Sequence, residues 1–323
     1  MMRRLLNFTR RLVLIQILKY SVLKVASITL LCISLSNVAY ADDYKPVSEQ
    51  YENLGVVQCP KYLNIRQSPN QKSTVVGLII NNGACEIKAT SDEWYAIKSG
   101  NISGYVLSKY VVTGKKALEL ANSVAVKRVR VSGLTPIYSE RTTGSKVWDS
   151  AISGSEYDVT DDVDTWYTID LDGAVGYMVK SEMLTPVMSL NTATPTSNLE
   201  HLDSTRYNLV KCAMKYLGNK YVWGGENPNT GIDCSAFVRW CYAQTTDVRL
   251  PRVSYEQCYV GEKITSMEML PGDLIFYADN SGRVGHVAMY IGNGTIIHAA
   301  SSRSGIRLSA WNYRTPKYIR RVL

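Results

Sequence analysis

Apolar and polar positions alternate in short runs through residues 55–190, with Gly, Asn, Asp and Ser between the runs. Period-two alternation broken by turn formers predicts a succession of short strands. The runs repeat. Trp94-Tyr95-Ala96-Ile97 precedes Gly104-Tyr105-Val106, and seventy-two positions later Trp166-Tyr167-Thr168-Ile169 precedes Gly176-Tyr177-Met178. In both copies eleven positions separate the Trp from the Tyr. This alternation sets aromatic rings on both faces of a strand, and the glycine permits a tight hairpin. Leu63-Asn64-Ile65-Arg66 and Val75-Val76-Gly77 supply further strands of the first copy, and Val129-Arg130-Val131 opens the second. Trp94 and Trp166 are expected in the cores, where large aromatics in strands usually pack. The polar stretches 42–54 and 191–203, the latter broken by Pro195, read as linkers. His201 falls in the second and is given no role.

From Ser204 the period lengthens. Leu209, Val210, Ala213, Met214 and Leu217 make one apolar helical face, with Ser204 as its cap and Gly218 as its end. A short extended piece, Tyr221-Val222-Trp223-Gly224-Gly225, and a loop follow. A second helix is then predicted from Asp233, a good N-cap, with Cys234, Phe237, Val238 and Cys241 facing the core. Leu274–Tyr277, His286–Ile291 and Thr295–Ala299 read as strands, introduced by the turn Pro271-Gly272-Asp273. Taking Gly292-Asn293-Gly294 as a hairpin loop sets Ile291 opposite Thr295 and Ala288 opposite His298. His286 is then diagonal to His298 on the same face, at roughly 7–8 Å between Cα atoms. A slip of one residue would separate them.

Charge alters the picture at one end only. The 323 residues carry 36 Lys+Arg against 28 Asp+Glu, a net +8. Residues 1–41 hold six of the basic groups (Arg3, Arg4, Arg10, Arg11, Lys19, Lys24) and no acidic one, which leaves +2 over the rest. A basic start, an apolar run from Val25 to Val38 and Ala39-Tyr40-Ala41 read as an export signal cleaved before Asp42. The nearly neutral remainder has little electrostatic motive to bind nucleic acid or an anionic membrane. Neither is expected as a partner, and a monomer is expected. With 46% apolar and 20% charged residues the chain is globular rather than disordered.

Beyond the leader remain Cys59, Cys85, Cys212, Cys234, Cys241 and Cys258, with no Cys-x-x-Cys pair to suggest a structural zinc site. Cys59 and Cys85 share one β-rich segment and make the first bridge to test. Cys212, Cys241 and Cys258 read as small buried hydrophobes. Cys234 differs. It sits in the first turn of a helix, where free N–H groups and the positive end of the dipole favour a thiolate. Two of only three histidines, His286 and His298, fall on one predicted sheet face. Cysteine acyl transfer needs this set: a nucleophile, a base that later protonates the leaving amine, and a group that orients the base. A Cys/His/His metal site is the alternative, but the spacing matches no zinc pattern.

Residues 204–323 resemble the NlpC/p-sixty family of cell-wall cysteine peptidases. The motifs are Tyr221-x-Trp223-Gly224-Gly225, Asp233-Cys234-Ser235-x-Phe237-Val238, Leu250-Pro251-Arg252-x-Ser254, Pro271-Gly272-Asp273-Leu274, Gly285-His286-Val287-Ala288 and Ile297-His298-Ala299. Residues 55–114 and, more distantly, 118–190 resemble bacterial SH3-like modules. The resemblance implies an α+β, papain-like domain preceded by two small all-β barrels. It implies Cys234 as nucleophile, His286 as base, His298 as orienting residue and Tyr221 as oxyanion support, with Trp223, Asp233, Ser235 and Ser254 lining the substrate groove. It further implies an exported peptidoglycan hydrolase that cuts stem peptides between D-γ-glutamyl and the diamino acid, without cofactor. An amidase or acyltransferase on the same scaffold, or a wall-binding protein with a vestigial peptidase domain, are the alternatives. Val253 stands where family members that read a free L-alanine amine often carry an acid, which leaves action on intact peptidoglycan open.

Overall fold

A computed structural model describes residues 44–91, 93–196 and 202–323. The expected leader and His201 lie outside the described residues. The first module is an antiparallel sheet of Leu54–Val57, Tyr62–Arg66, Val75–Ile80, Ala84–Thr90, Trp94–Ser99, Ile102–Leu107 and Val111–Thr113. Alternation sends Val57, Leu63, Ile65, Ile79, Ile97 and Val106 into one core, and Trp94 is buried as well. Cys85 belongs to the same core and donates its thiol to the Gly55 carbonyl at 3.6 Å, while Cys59 lies half-buried. Both thiols are free. Sharing a segment did not bridge them: Cys85 is fully buried within this core, and Cys59 packs against it from a half-buried position.

The second module contains Val126–Val131, Thr135–Tyr138, Val147–Ala151, Glu156–Val163, Trp166–Leu171, Ala174–Val179 and Leu184–Ser189 in one sheet. Val129, Val131, Ile137, Tyr167, Ile169, Leu171 and Met178 fill it. Trp166 is only half-buried, edge-on to Tyr138 at 5.6 Å between ring centres. The repeat is visible in the register. Ser99 pairs with Ile102 and Leu171 with Ala174, so each Trp-Tyr strand turns back through two residues, Gly100-Asn101 in one copy and Asp172-Gly173 in the other.

The stretches read as linkers are partly built in. Val47 is buried against Val56, Ala84 and Leu190, and Lys45 bridges to Val187. Thr194–Pro195 adds an edge strand beside Val75–Ile80. A helix, Gly114–Val124, joins the modules and buries Ala117 and Ala121 one turn apart. The second module was expected to begin at 118, inside this helix.

The C-terminal domain is α+β, as expected. Helix Ser204–Met214 is capped by Asp203, whose carboxylate accepts from the Thr205 and Arg206 N–H groups, rather than by Ser204. Helix Cys234–Thr245 lies against an antiparallel sheet ordered Glu262–Lys263, Pro316–Arg321, Leu274–Ala278, Val284–Gly292, Thr295–Ser301, Gly305–Ala310. Leu209, Ala213, Phe237, Val238, Cys241, Phe276, Val287 and Ile297 share the core between helices and sheet. Each Leu, Val, Ile or Phe side chain among them, once removed from water, contributes roughly 1.5–3 kcal/mol. Asp273, fully buried, holds Arg206 at 3.1 Å and Arg321 at 2.8 Å. The turn it belongs to is tied to the second helix by Tyr242, which donates to the Gly272 carbonyl at 2.7 Å.

Candidate active site

Cys234 is the first residue of its helix, and Asp233 is the cap. The Asp233 carboxylate accepts from the Ala236 N–H at 2.8 Å, the Ser235 hydroxyl at 3.0 Å and the Gly224 N–H at 3.2 Å. Arg252 clamps the same carboxylate through two nitrogens, at 2.7 and 3.1 Å, and reaches Glu226 at 2.7 Å. Asp233 and Ser235 are therefore committed to shaping the helix end. Gln257 adds a bond to the Ser235 carbonyl at 3.0 Å. Ser254 is buried at the start of the short helix Ser254–Gln257, whereas Trp223 is 83% exposed. Tyr221 bridges to Ile232, immediately before this cap.

The two histidines meet. His286 Nε2 and His298 Nδ1 are 2.8 Å apart, and His298 Nε2 is 3.0 Å from the Ser309 hydroxyl. The register that allows this has Met289 opposite Ile297 and Tyr290 opposite Ile296, as expected. The loop differs. Gly292 pairs with Thr295, so the turn is the two residues Asn293-Gly294, both at positive φ, and a bulge after Tyr290 takes up the extra residue.

Burial dominates the electrostatics. It pushes the Cys234 thiol up to about 12, although backbone groups of Val287 and Ser235 pull the other way. The helix end does not by itself secure a thiolate: desolvation of the charged form outweighs it. Desolvation likewise lowers both histidines, His298 to about 3. Burial and the neighbouring Cys234 and Asp233 raise Tyr221. The resting site thus holds a thiol, two neutral imidazoles and a neutral phenol. The thiol lies against the backbone of Val287, the residue after His286.

Residues the sequence reading missed complete the surroundings. Asp172, from the turn of the second module, stands 3.6 Å from His298 Nδ1 and 3.9 Å from His286 Nε2. Arg314 donates to it at 2.6 Å, and the Tyr313 hydroxyl is a second donor to the same oxygen. The one available signal was the repeat itself, which aligns Asp172 with Gly100. Asp172, His286 and His298 bring three donor atoms within 4.8 Å, a spacing a divalent ion would fit. Arg314 already pairs with the carboxylate, and the bond between the imidazoles uses the nitrogens an ion would need.

Residues 218–322 match the model of the NlpC/P60 family, and residues 61–112 that of the bacterial SH3 domain. The chain is similar to the bifunctional muramidase/DL-endopeptidase CwlT of Bacillus subtilis (strain 168), 42% identical over 31% of this chain and 30% of that one. It is also similar to the Gamma-DL-glutamyl hydrolase of the same organism, 36% identical over 29% and 23% of the two chains. The match thus spans less than a third of either relative. The structure of NlpC2 from Trichomonas vaginalis aligns over 84% of this chain and 97% of that one, at 21% identity and a TM-score of 0.34. Residues 218–322 are thus an NlpC/P60 family domain, and residues 61–112, ahead of it, a bacterial SH3 domain.

Proposed function

We propose that the chain is an exported cysteine endopeptidase of bacterial cell-wall peptides, cutting between a D-γ-glutamyl residue and the diamino acid that follows. The observation that carries this reading is the buried His286–His298 pair beside a cysteine at a helix N-terminus. The names of two relatives, a DL-endopeptidase and a gamma-DL-glutamyl hydrolase, support the bond chosen. Export rests on the pattern of residues 1–41. No helix among the described residues is long and apolar enough to cross a membrane.

The chemistry follows from the hydrogen-bond order. For His286 to act as base at Nδ1, its proton must sit on Nε2 and be donated to His298 Nδ1. His298 then donates from Nε2 to Ser309. Cys234 Sγ attacks the carbonyl carbon as its proton passes to His286 Nδ1. The intermediate's oxyanion is held by the Cys234 N–H and the Tyr221 hydroxyl. The C–N bond then breaks, His286 protonates the leaving amine, and water hydrolyses the thioester. The SH3-like barrels place or limit the substrate, with Trp223 and Ser254 at the groove.

Purified protein incubated with peptidoglycan of known chemistry, and the products read by mass spectrometry, tests this. A new free diamino-acid amine and a new γ-glutamyl carboxylate are expected. Cleavage at the lactyl–L-alanine bond makes the chain an amidase, and full activity in Cys234→Ala removes Cys234 as nucleophile.

A further inference from the structure

The barrel turn beside the histidines is built against the conformational preference of its residue. Asp172 has φ of 58°, and Gly173 follows at 84°. The aligned turn of the first module has Gly100, which adopts φ of 56° freely. A side chain with a Cβ at such a position is strained, less for Asp than for most. The turn is pinned from its flank as well, since the Ser301 hydroxyl donates to Asp170 at 2.8 Å. The Asp172 side chain is 4% exposed and lies beside both imidazoles.

We propose that Asp172 is a positioning residue of the His286–His298 pair, so that the second barrel completes the catalytic site of the C-terminal domain. For its effect on catalysis this rests on the cysteine-peptidase reading; for its effect on the imidazoles it does not. The carboxylate faces Nε2 of His286, the nitrogen away from the one that takes the thiol proton. It therefore supports the pair from behind and does not compete with substrate for Cys234. When His286 becomes an imidazolium, the nearby negative charge compensates it inside a site that otherwise disfavours charge. Of the charges facing His286, Asp172 acts most strongly, ahead of Arg314, Asp170 and Asp233. His298 feels Asp172 against Arg307 and Arg314. The Tyr277 and Tyr313 rings close the surroundings. Burial pushes the Asp172 carboxyl up, but the imidazoles, Arg314 and the Tyr313 hydroxyl outweigh it, keep the carboxylate ionised and leave it well below the usual carboxylate range.

Two measurements on the full chain test the proposal. Side-chain NMR of the histidines, in the Cys234→Ala background, needs no turnover. Asp172→Asn should move the His286 titration to lower pH by about one unit, and Asp172→Glu should recover part of the shift. In the otherwise unchanged chain, Asp172→Asn should lower kcat about tenfold or more, leave KM within about twofold, and move the acid limb of kcat/KM to lower pH. An unmoved titration, an unmoved acid limb, or a gain in activity overturns the proposal. If Asp172→Asn does not fold, the double variant Asp172→Asn with Arg314→Gln is compared with Arg314→Gln alone, and the His286 titration should again lie at lower pH in the chain without the carboxylate. A chain that hydrolyses nothing but shows the NMR shift fails the peptidase reading alone.

Discussion

Cys234 and the two histidines are tuned by burial more than by their named partners. His298 is held neutral down to about 3, against roughly 6.5 when unfolded. Between those values the unfolded chain binds a proton that the folded chain does not, so stability falls as pH falls through that window. The Asp172 carboxyl acts in the same direction at lower pH. Its folded value is depressed, so its contribution is present above the usual carboxylate range and is lost below about pH 4. The melting temperature of the wild type should therefore drop between pH 7 and pH 5, and drop less in His298→Asn. Equal slopes for the two proteins, measured by calorimetry across that range, would show that His298 does not set the effect. His286 and His298 were legible from the sequence because register is a local property, and a bulge and a shorter turn offset each other. Asp172 was not legible. No local rule brings a turn of one module to a sheet of another.

Elements are placed by a few backbone approaches. Gly225 accepts the Asp233 N–H at 3.2 Å and lies so close to the strand Gly231–Ile232 that an added Cβ would sit 2.4 Å from the Gly231 carbonyl oxygen. No side-chain rotation relieves a clash with backbone, so Gly225→Ala should cost about 1–3 kcal/mol and displace the Cys234 helix end. Thermal unfolding and kcat/KM should both fall, and an unchanged melting temperature would contradict the argument. Arg252 belongs to the same scale, because its clamp on Asp233 joins the Leu250–Ser254 segment to the helix. The motif containing Arg252 was legible in the sequence, but its task was not, since a motif gives spacing without partners. The helix Gly114–Val124 was missed for a different reason. Its packed face, Ala117, Leu120, Ala121 and Val124, keeps helical spacing but falls across the expected start of the second β module.

At the scale of the molecule, the described residues form one compact unit. The second barrel reaches the C-terminal domain through Trp148, which donates to the Ala278 carbonyl at 3.2 Å and stacks on Arg314 at 5.3 Å. Tyr157 donates to the Tyr313 carbonyl at 2.6 Å, and Asp158 pairs with Arg307 at 3.3 Å. Trp148→Ala should loosen this contact while leaving the barrel core intact. Calorimetry should then resolve two transitions where the wild type shows one, and a single unchanged transition would show that Trp148 does not couple the domains.

The two hairpin turns, equal in length and seventy-two residues apart, describe a duplicated module whose copies have taken separate duties. One tip retained the residue the backbone prefers. The other accepted a strained acid and became part of a neighbour's chemistry. Barrel folding and enzyme assistance are thus written in different residues, two of them at a turn. Grafting Gly-Asn from the first tip onto the second would return that module to a plain barrel, and leave the enzyme to work without its help.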